Sequence, residues 1–465
     1  MKKLKSFLSA VFMLAVTLAA TGCGSSGSSS SYNNPMDEDK QETLMEIAKS
    51  SGALGGELEK KEITFISNWD INADEQTGKK TPADLALFQE IYGGKIKLEP
   101  CTDANRFDVL AACVNGGTGA DMFYTGSFDA FPRCTLNNNA LFAPSDDYID
   151  YSSPLWEDVQ DINDMYTIKD KHYISVIQET GDVVACVYSK KTVQEAGLED
   201  PAKLYAEGRW TWDEFQNMLE KFVGSGDQHY GIDGWFFEFG LMNTIGIPPV
   251  GFEDGKLVSH IADPSMERVQ EWLYELYQKN CIAIGVGDYG WEDKPYYIGE
   301  GKLLFYPVGL YEFYKTHDMW KERFGTDDVF FVPLPKDPKA DQYYIPTGIE
   351  SYAFVSGGAN PEGVAKYLDC KRFCATNDEA CAIADSIFID DYGWTQEMVD
   401  MREEMNRLAR ENPVIDFSKG VNKDCADIVD TKLRLTSRGT PWNETFNSIN
   451  PAIDKIIDEV NASLE

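Results

Sequence analysis

The amino-acid sequence predicts an α/β protein whose strands and helices alternate along the chain in two successive series. Short β-branched and aromatic runs alternate with amphipathic helical patterns from residue 62 onward, which is typical of βαβ units. The same alternation starts again near residue 183. The chain has 465 residues, which is enough for two domains that each bury a core.

The first series has the order of a parallel sheet. The run EITFIS predicts a strand, and TPADLALFQEIYGG predicts a helix, because Leu85, Phe88 and Tyr92 share one face. The segments KIKLEP, NRFDVLAACVNGG and ADMFYTG then predict a strand, a helix and a strand. The order βαβαβ is typical of the start of a parallel sheet.

The second series begins with DVVACVYS as a strand and TWDEFQNMLEKFVG as a helix. Further strands are predicted at KLLFYP and VFFVPLP, and further helices begin at DPSMERVQEWLYELYQ and NPEGVAKYLDCKRF. The C-terminal hundred residues are mostly helical in pattern. This second series predicts a second α/β lobe.

The N-terminus predicts export. MKKLK supplies a cationic start, and the apolar stretch that follows is too short for a spanning helix. The segment LAATGC and the serine-rich run after it resemble a bacterial lipoprotein box, which implies a signal peptide over residues 1–22 and acylation of Cys23. The alternatives are an uncleaved apolar helix and an ordinary signal peptide with a stray cysteine.

Residues 23–58 are polar and rich in serine, glycine and glutamate. This composition predicts a flexible linker with at most one short helix, which would hold the globular body clear of a membrane surface. We therefore expect a protein anchored by lipid on the extracytoplasmic face of a bacterial cell membrane.

Charge and motifs exclude several classes of function. The formal net charge of −35 repels nucleic acid and anionic lipid. The four histidines stand isolated, and no zinc, Walker, Ser/His/Asp or EF-hand signature is present. We expect no metal and no cofactor.

Several motifs follow one another in an order that resembles a known family. They are ADMFYTGSFDAF, VYSKKTVQEAGLEDP, RWTWDEFQNMLEKF, GEGKLLFYPVG, FFVPLPKDP and SGGANPEGVAKYLDCKRF. This order is similar to that of extracellular solute-binding protein family 1, the sugar-type substrate-binding lipoproteins of ABC importers. The sequence departs from the family at Ser189, which stands where asparagine is usual, and in the strand GKLLFYP, where small residues and methionine are usual.

The resemblance implies a two-lobed, type II periplasmic-binding-protein-like fold, with a ligand cleft between lobes that are joined by hinge strands. The first lobe would comprise residues 59–182 and 349–400, and the second residues 183–348 and 401–465. The resemblance further implies a monomer without catalytic activity. It would close on a carbohydrate, a mono- or oligosaccharide, and would present the closed form to the permease subunits of an ABC transporter.

Candidate ligand contacts in the first lobe follow two strands. A sugar presents C–H faces to aromatic rings and hydroxyls to carboxylates or amides. Trp69 and Asp70 come directly after the first predicted strand, at the end where such sheets meet a cleft. The resemblance adds Tyr124, Thr125 and Ser127, which follow the strand ADMF at positions that often contain an aromatic ring and polar contacts in the family.

The remaining candidates rest on the resemblance. Asp182 precedes VVACVYS, where some family members place a carboxylate that binds the ligand. Trp235 and Tyr311 stand where family members commonly place stacking rings, and Trp442 in GTPWNETF is a further candidate.

The stretch GWFFEFG raises a question of orientation. If the stretch is extended, Trp235, Phe237 and Phe239 point to one side, and Phe236 and Glu238 point to the other. We expect Trp235 to be the exposed ring, and we expect Phe237 and Phe239 to turn with the chain into the second lobe.

Three alternatives remain at this point. The chain could bind another polar solute, such as a peptide or a polyol. It could be a surface glycosidase, because paired carboxylates can cleave the sugars that such a cleft holds. A lipid-anchored scaffold or adhesin is a third alternative, which the absence of repeats disfavours.

Overall fold

Residues 34–76, 78–126, 130–132 and 141–464 are described by a computed structural model. Cys23 and Ser127 lie outside these residues. The strands are β1 Glu62–Ser67, β2 Lys95–Pro100, β3 Met122–Tyr124, β4 Phe142–Ala143, β5 Thr167–Ile168, β6 Lys171–His172, β7 Ser175–Thr180, β8 Ala185–Ser189, β9 Tyr230–Ile232, β10 Val250–Glu253, β11 Lys256–Ser259, β12 Leu303–Val308, β13 Val329–Val332 and β14 Gly348–Val355.

Helices cover the faces of the sheets and form most of the C-terminal region. The α-helices are α1 Glu38–Ser51, α2 Ala83–Tyr92, α3 Arg106–Gly116, α4 Gln160–Met165, α5 Lys190–Glu195, α6 Pro201–Ala206, α7 Trp212–Val223, α8 Phe237–Asn243, α9 Pro264–Gln278, α10 His317–Phe324, α11 Pro361–Thr376, α12 Asp378–Asp390, α13 Gln396–Glu411, α14 Ser418–Val421, α15 Lys423–Lys432 and α16 Trp442–Leu464. Short 3-10 helices span Glu157–Val159, Gly287–Tyr289, Pro295–Tyr297, Leu310–Phe313 and Leu433–Arg438.

The first sheet has the strand order β2-β1-β3-β14-β4, and β7 also pairs with β14. β1 runs parallel to both β2 and β3, whereas β14 runs antiparallel to β3. The side chains of Ile63, Phe65 and Ile66 on β1 are buried, as expected for a strand with helices over the sheet. This sheet confirms the predicted βαβαβ start.

The second sheet has the order β13-β8-β12-β9. β12 runs parallel to β9 and antiparallel to β8. A parallel bridge between Ile232 and Ile282 extends the sheet beyond β9. The predicted helix TWDEFQNMLEKFVG is α7, and its apolar side chains Phe215, Leu219 and Phe222 are buried. The two sheets with their helices confirm the predicted two-lobed α/β architecture.

The chain passes between the sheets twice through segments outside the named strands and helices. The first crossing leads from β7 to β8 at residues 181–184, and the second leads from β13 to β14 at residues 333–347. α13 contacts β7 of one sheet and β13 of the other. The predicted lobe limit at residues 400 and 401 falls within this continuous helix.

The segment before β1 differs from the expected flexible linker over residues 23–58. From residue 34 onward this segment belongs to the folded body, because α1 packs against α2 and α12. Leu44 and Ala48, one helical turn apart, are fully buried beneath α1. An ion pair joins Lys40 Nζ to Asp390 Oδ2 at 2.5 Å. The polar composition of the segment gave no sign of this docking, because the contact rests on only two fully buried apolar residues of α1, Leu44 and Ala48.

Candidate functional site

Two aromatic residues mark the carboxyl-terminal edge of the first sheet. β1 and β3 are parallel neighbours, so the residues at their ends lie at the same edge. The rings of Trp69 and Tyr124 meet edge to face there, with centroids 5.8 Å apart and an interplanar angle of 83°. Trp69 is 37% exposed. The structure thus brings these two predicted site residues together on an accessible surface.

A buried ionic network supports this aromatic edge from below. The ring of Tyr124 packs edge to face on Tyr352 at 5.8 Å, and the Lys371 ammonium lies 5.4 Å from the Tyr352 ring centroid. Lys371 Nζ binds Asp84 Oδ2 at 2.5 Å and Glu350 Oε1 at 2.6 Å. Burial alone would lower the pKa of Lys371, but the two carboxylates raise it well above its usual value. The aromatic edge therefore packs, through Tyr352, against the ion-paired Lys371.

The loop after β1 turns its polar groups inward. Asp70 Oδ1 accepts hydrogen bonds from Asn72 N at 2.9 Å and from Asn72 Nδ2 at 2.8 Å, and the backbone oxygen of Asp70 accepts one from Lys79 Nζ. The Lys79 ammonium also lies 5.5 Å from the Trp69 ring centroid. Burial lowers the pKa of Lys79 to about 8 although Asp70 opposes this shift. The hydrogen bonds that Asp70 accepts therefore hold the loop that carries Trp69 in its conformation.

Thr125 does not lie on the exposed edge. Its side chain is fully buried, and its hydroxyl lies 2.8 Å from the Ser351 hydroxyl in the neighbouring strand. The backbone nitrogen of Thr125 donates to the Ser351 oxygen at 3.0 Å. The residue joins two strands of the sheet in this structure. Ser127, predicted with it, lies outside the described residues.

The second sheet presents a corresponding aromatic edge. Trp235 follows β9 and Tyr311 follows β12, and these two strands are parallel neighbours. Their carboxyl ends therefore lie at the same edge. Trp235 is 44% exposed and Tyr311 is 43% exposed. The structure thus brings these two predicted residues together as well.

The stretch GWFFEFG is a turn followed by a helix, not an extended strand. Phe237 begins α8 and is fully buried, and Phe239 packs partly buried against the core. Phe236 is 47% exposed at a φ of 68°, a left-handed conformation that is rare for a bulky residue. Trp235 is exposed and the two rings turn inward, as predicted. Sequence reasoning missed Phe236, which stands beside Trp235 with its ring exposed.

The two edges come near each other at Tyr311. Asn68 Nδ2 donates to Asp103 Oδ1 at 2.8 Å, which places this carboxylate at the edge of the first sheet. Burial raises the pKa of Tyr311 to about 12, and the negative charges of Glu312 and Asp103 add to this shift. A charge of the first lobe therefore lies near a ring of the second. The aromatic edges form the two walls of a candidate cleft.

Asp182 lies at the first crossing between the sheets. Its Oδ2 accepts hydrogen bonds from the Tyr314 hydroxyl and from Arg402 Nη2, the latter at 3.3 Å. Its Oδ1 is buried and has no hydrogen-bond partner among the described residues. The carboxylate therefore fixes the first crossing with one oxygen, and its other oxygen has no hydrogen-bond donor among the described residues.

Trp442 is separated from the exposed rings. It begins α16, is buried, and packs on Phe446 with ring centroids 5.7 Å apart. The structure does not expose it as a stacking surface. The sequence had placed it only by its position in the family pattern.

Two further residues lie at the second edge and were not among the predicted ligand contacts. Trp291 is 77% exposed in the loop after Ile282, whose parallel bridge to β9 puts that loop at the same edge. Arg323 on α10 lies with its guanidinium carbon 5.5 Å from the Trp235 ring centroid. The glycines at 285, 287 and 290 were the one available sign of an irregular surface loop.

Neither a metal centre nor a membrane span is found in the described ranges. Within residues 34–76, 78–126, 130–132 and 141–464, no group of three or more His, Cys, Asp or Glu side chains could hold a metal ion. In the same part of the chain, no helix has the length and apolar character needed to cross a bilayer.

Comparison with solved structures establishes the fold. The GacH receptor of Streptomyces glaucescens, solved unliganded and in complex with acarbose, is 14% identical with a TM-score of 0.61, over 86% of this chain and 99% of that one. The galacto-N-biose-/lacto-N-biose I-binding protein of the ABC transporter from Bifidobacterium longum is 12% identical with a TM-score of 0.61, over 86% and 97%. The ABC-transporter-associated binding protein from B. animalis subsp. lactis, in complex with β-1,6-galactobiose, is 16% identical with a TM-score of 0.57, over 86% and 98%.

All three neighbours were solved with a bound sugar or sugar analogue, and two of them are binding proteins of ABC transporters. The chain shares their fold over nearly their whole length. No protein-family model and no curated protein matches the sequence.

Proposed function

We propose that this chain is an extracytoplasmic solute-binding protein that captures a carbohydrate between its lobes and delivers it to the permease of an ABC importer. One observation supports the proposal: Trp69 and Tyr124 lie at the edge of one sheet, Trp235 and Tyr311 lie at the edge of the other, and Asp103 beside the first edge lies near Tyr311. Paired aromatic walls suit the C–H faces of a sugar ring, and nearby carboxylates suit its hydroxyls. The neighbours' complexes with acarbose, lacto-N-biose and β-1,6-galactobiose support this choice of ligand class.

Capture would work by a shift between open and closed forms. A ligand that contacts both walls binds the closed form more tightly, so it shifts the population toward closure. The crossings at residues 181–184 and 333–347 are the segments that would bend. The permease would then recognise the closed form. Because the chain needs only to bind and release, the proposal assigns no catalytic residue.

The anchor is part of the same proposal. Cys23 would be acylated after removal of residues 1–22 and would hold the protein on the extracytoplasmic face of the membrane. Replacement of Cys23 by serine should move the protein from the membrane fraction to the medium or periplasm and abolish its labelling by palmitate. Retention of the C23S protein in the membrane fraction would contradict lipid anchoring.

A binding screen tests the ligand class. Acarbose, lacto-N-biose and β-1,6-galactobiose, the ligands of the three structural neighbours described above, would be compared with polyols and dipeptides by thermal shift. A ligand present at about 100 times its dissociation constant should stabilise the protein by about 2.7 kcal/mol. Isothermal titration then gives the affinity of any ligand that shifts the melting temperature.

The outcomes separate the alternatives. Stabilisation by a glycan without its hydrolysis supports a sugar-binding protein. Stabilisation by dipeptides or polyols alone would replace the carbohydrate proposal by another polar solute. Release of smaller sugars from a glycan by the purified protein would replace it by a glycosidase.

A further inference from the structure

Arg323 lies where several segments of the second aromatic edge meet. Its guanidinium carbon is 5.5 Å from the Trp235 ring centroid. Its Nη2 is 3.5 Å from Asp293 Oδ2, and its Nε is 3.6 Å from Glu312 Oε2. Nη2 also lies 3.5 Å from the hydroxyl of Tyr306. A planar guanidinium can hold two carboxylates in its plane while one face lies on an aromatic ring.

The partners of Arg323 come from different parts of the chain. Trp235 follows β9, Glu312 belongs to the 3-10 helix Leu310–Phe313 after β12, and Asp293 lies in the loop that carries Trp291. The two carboxylates are themselves fixed. Asp293 Oδ2 accepts from the Tyr306 hydroxyl at 2.8 Å, and Glu312, whose side chain is 8% exposed, binds Lys315 at 3.0 Å. Arg323 therefore joins three segments of the edge through firm anchors.

Trp235 lacks the ring neighbours that hold Trp69 in place. Trp69 packs against the rings of both Phe65 and Tyr124, at 5.7 Å and 5.8 Å. Trp235 makes no ring-to-ring contact with another described residue, and it follows Gly234, whose φ of 151° suits glycine alone. The guanidinium covers one side of the indole. The opposite face is left for a ligand.

We propose that Arg323 is a positioning residue that holds the Trp235 indole, with one face covered, so that a ligand ring can stack only on the other. The effect of Arg323 on sugar binding rests on the proposed function. The effect of Arg323 on the position of the Trp235 ring does not, because the contact exists in the protein without a ligand. Without Arg323, the indole should sample several rotamers, and the carboxylates of Asp293 and Glu312 should repel each other beside it.

Fluorine NMR on the free protein tests the holding directly. The chain has ten tryptophans, so labelling with 5-fluorotryptophan gives ten lines, and the W235F variant identifies the line of Trp235. In R323Q the Trp235 line should shift and broaden while the other nine stay in place. In R323K, which restores a cation without the planar fork, the line should move back toward its wild-type position. An unmoved Trp235 line in folded R323Q would overturn the proposal.

A second variant covers the case in which R323Q perturbs all ten lines through misfolding. D293N leaves Arg323 in place and removes one of its two carboxylate anchors, so the Trp235 line should broaden alone. An unmoved line in D293N would then overturn the proposal. Neither NMR measurement needs a ligand, so both test the position of the Trp235 ring whether or not the chain binds sugar.

A double-mutant cycle tests the consequence for binding, with the tightest glycan from the panel above as the probe. R323Q should weaken that glycan about tenfold in the wild-type background and less than about twofold in the W235A background, because a residue that acts through another has no effect once the other is gone. Equal losses in both backgrounds would show that Arg323 contacts the ligand itself and would overturn the positioning role. If no glycan binds, the proposed function fails, and the NMR result alone decides the role of Arg323.

Discussion

Arg402 binds Asp182 at the point where the chain leaves the first sheet, with Nη2 of the arginine 3.3 Å from Oδ2 of the aspartate. The contact ties the first crossing to α13, the helix that touches strands of both sheets. The neighbouring Gly181 donates its backbone N–H to Asn406 Oδ1 at 2.9 Å on the same helix. The crossing is thus docked on α13 through two consecutive residues, and the closure proposed above would have to preserve or remodel this contact.

Replacement of Asp182 by alanine should lower the free energy of unfolding by about 1–3 kcal/mol, because the buried Arg402 loses its carboxylate partner. Asp385 and Glu403, at 3.7 Å and 3.4 Å from Arg402 Nη1, limit the loss. Urea denaturation measures it. If the free Oδ1 of Asp182 binds a ligand hydroxyl, D182A should also weaken the glycan identified by the screen.

Tyr314→Phe is the matched control for Asp182→Ala. It removes the hydroxyl that donates to Asp182 Oδ2 and leaves Oδ1 untouched. We expect Y314F to lower stability by about 1 kcal/mol with little change in affinity. Equal losses of affinity in the two variants would mean that Asp182 acts through the hinge and does not contact the ligand.

Tyr311 and Tyr277 form a matched pair of exposed tyrosines. Tyr311 on the second aromatic edge is 43% exposed, and Tyr277 on α9 is 40% exposed. Replacement of either by alanine removes a similar exposed ring. Y311A should weaken glycan binding by about 1–2 kcal/mol, roughly tenfold, whereas Y277A should leave it unchanged. Titration calorimetry gives both values, and equal affinities of the two variants would remove Tyr311 from the site.

Lys371 neutralises two carboxylates beneath the first aromatic edge. Lys371→Met leaves the buried Asp84 beside the half-buried Glu350 without a cation, so the free energy of unfolding should fall by about 3–5 kcal/mol. Lys455, exposed on α16 at 3.6 Å from Glu459, is the control, and K455M should have little effect. A loss in K371M as small as that in K455M would show that the two carboxylates accept protons in place of the lysine.

The sequence predicted the parts of the site that depend on strand order. Trp69 follows β1 and Tyr124 ends β3, and parallel strands of one sheet end at the same edge, so the topology accounts for their meeting, although Tyr124 was chosen on the family resemblance. The left-handed Phe236 and the contact of Arg323 with Trp235 could not be predicted in this way. Both depend on how distant segments pack, and no local pattern of residues encodes such packing. The docking of α1 through Leu44 and Ala48 was missed for the same reason.

Asp416 gives the stability of the protein a dependence on pH. Its Oδ2 accepts from the Ser418 hydroxyl at 2.7 Å, and its Oδ1 accepts from Ser418 N at 3.1 Å and from Val250 N at 3.3 Å. Burial raises the pKa of Asp416 from 3.8 to about 6, because these hydrogen bonds do not offset the loss of solvent. The folded protein therefore keeps a proton on this group at pH values where the unfolded chain has lost it.

The direction of the pH dependence follows from this difference in protonation between the folded and unfolded states. The contribution of Asp416 to stability is fully present below about pH 4 and is lost as the pH rises through about 6. Asp416→Asn has no such proton, so the stability of wild type relative to D416N should fall between pH 4 and pH 7, by up to about 3 kcal/mol, since one pKa unit corresponds to about 1.4 kcal/mol. Urea denaturation at several pH values measures it, with D458N, an exposed change on α16, as the control. A difference between wild type and D416N that stays constant over this range would mean that the carboxylate of Asp416 remains ionised in the folded protein.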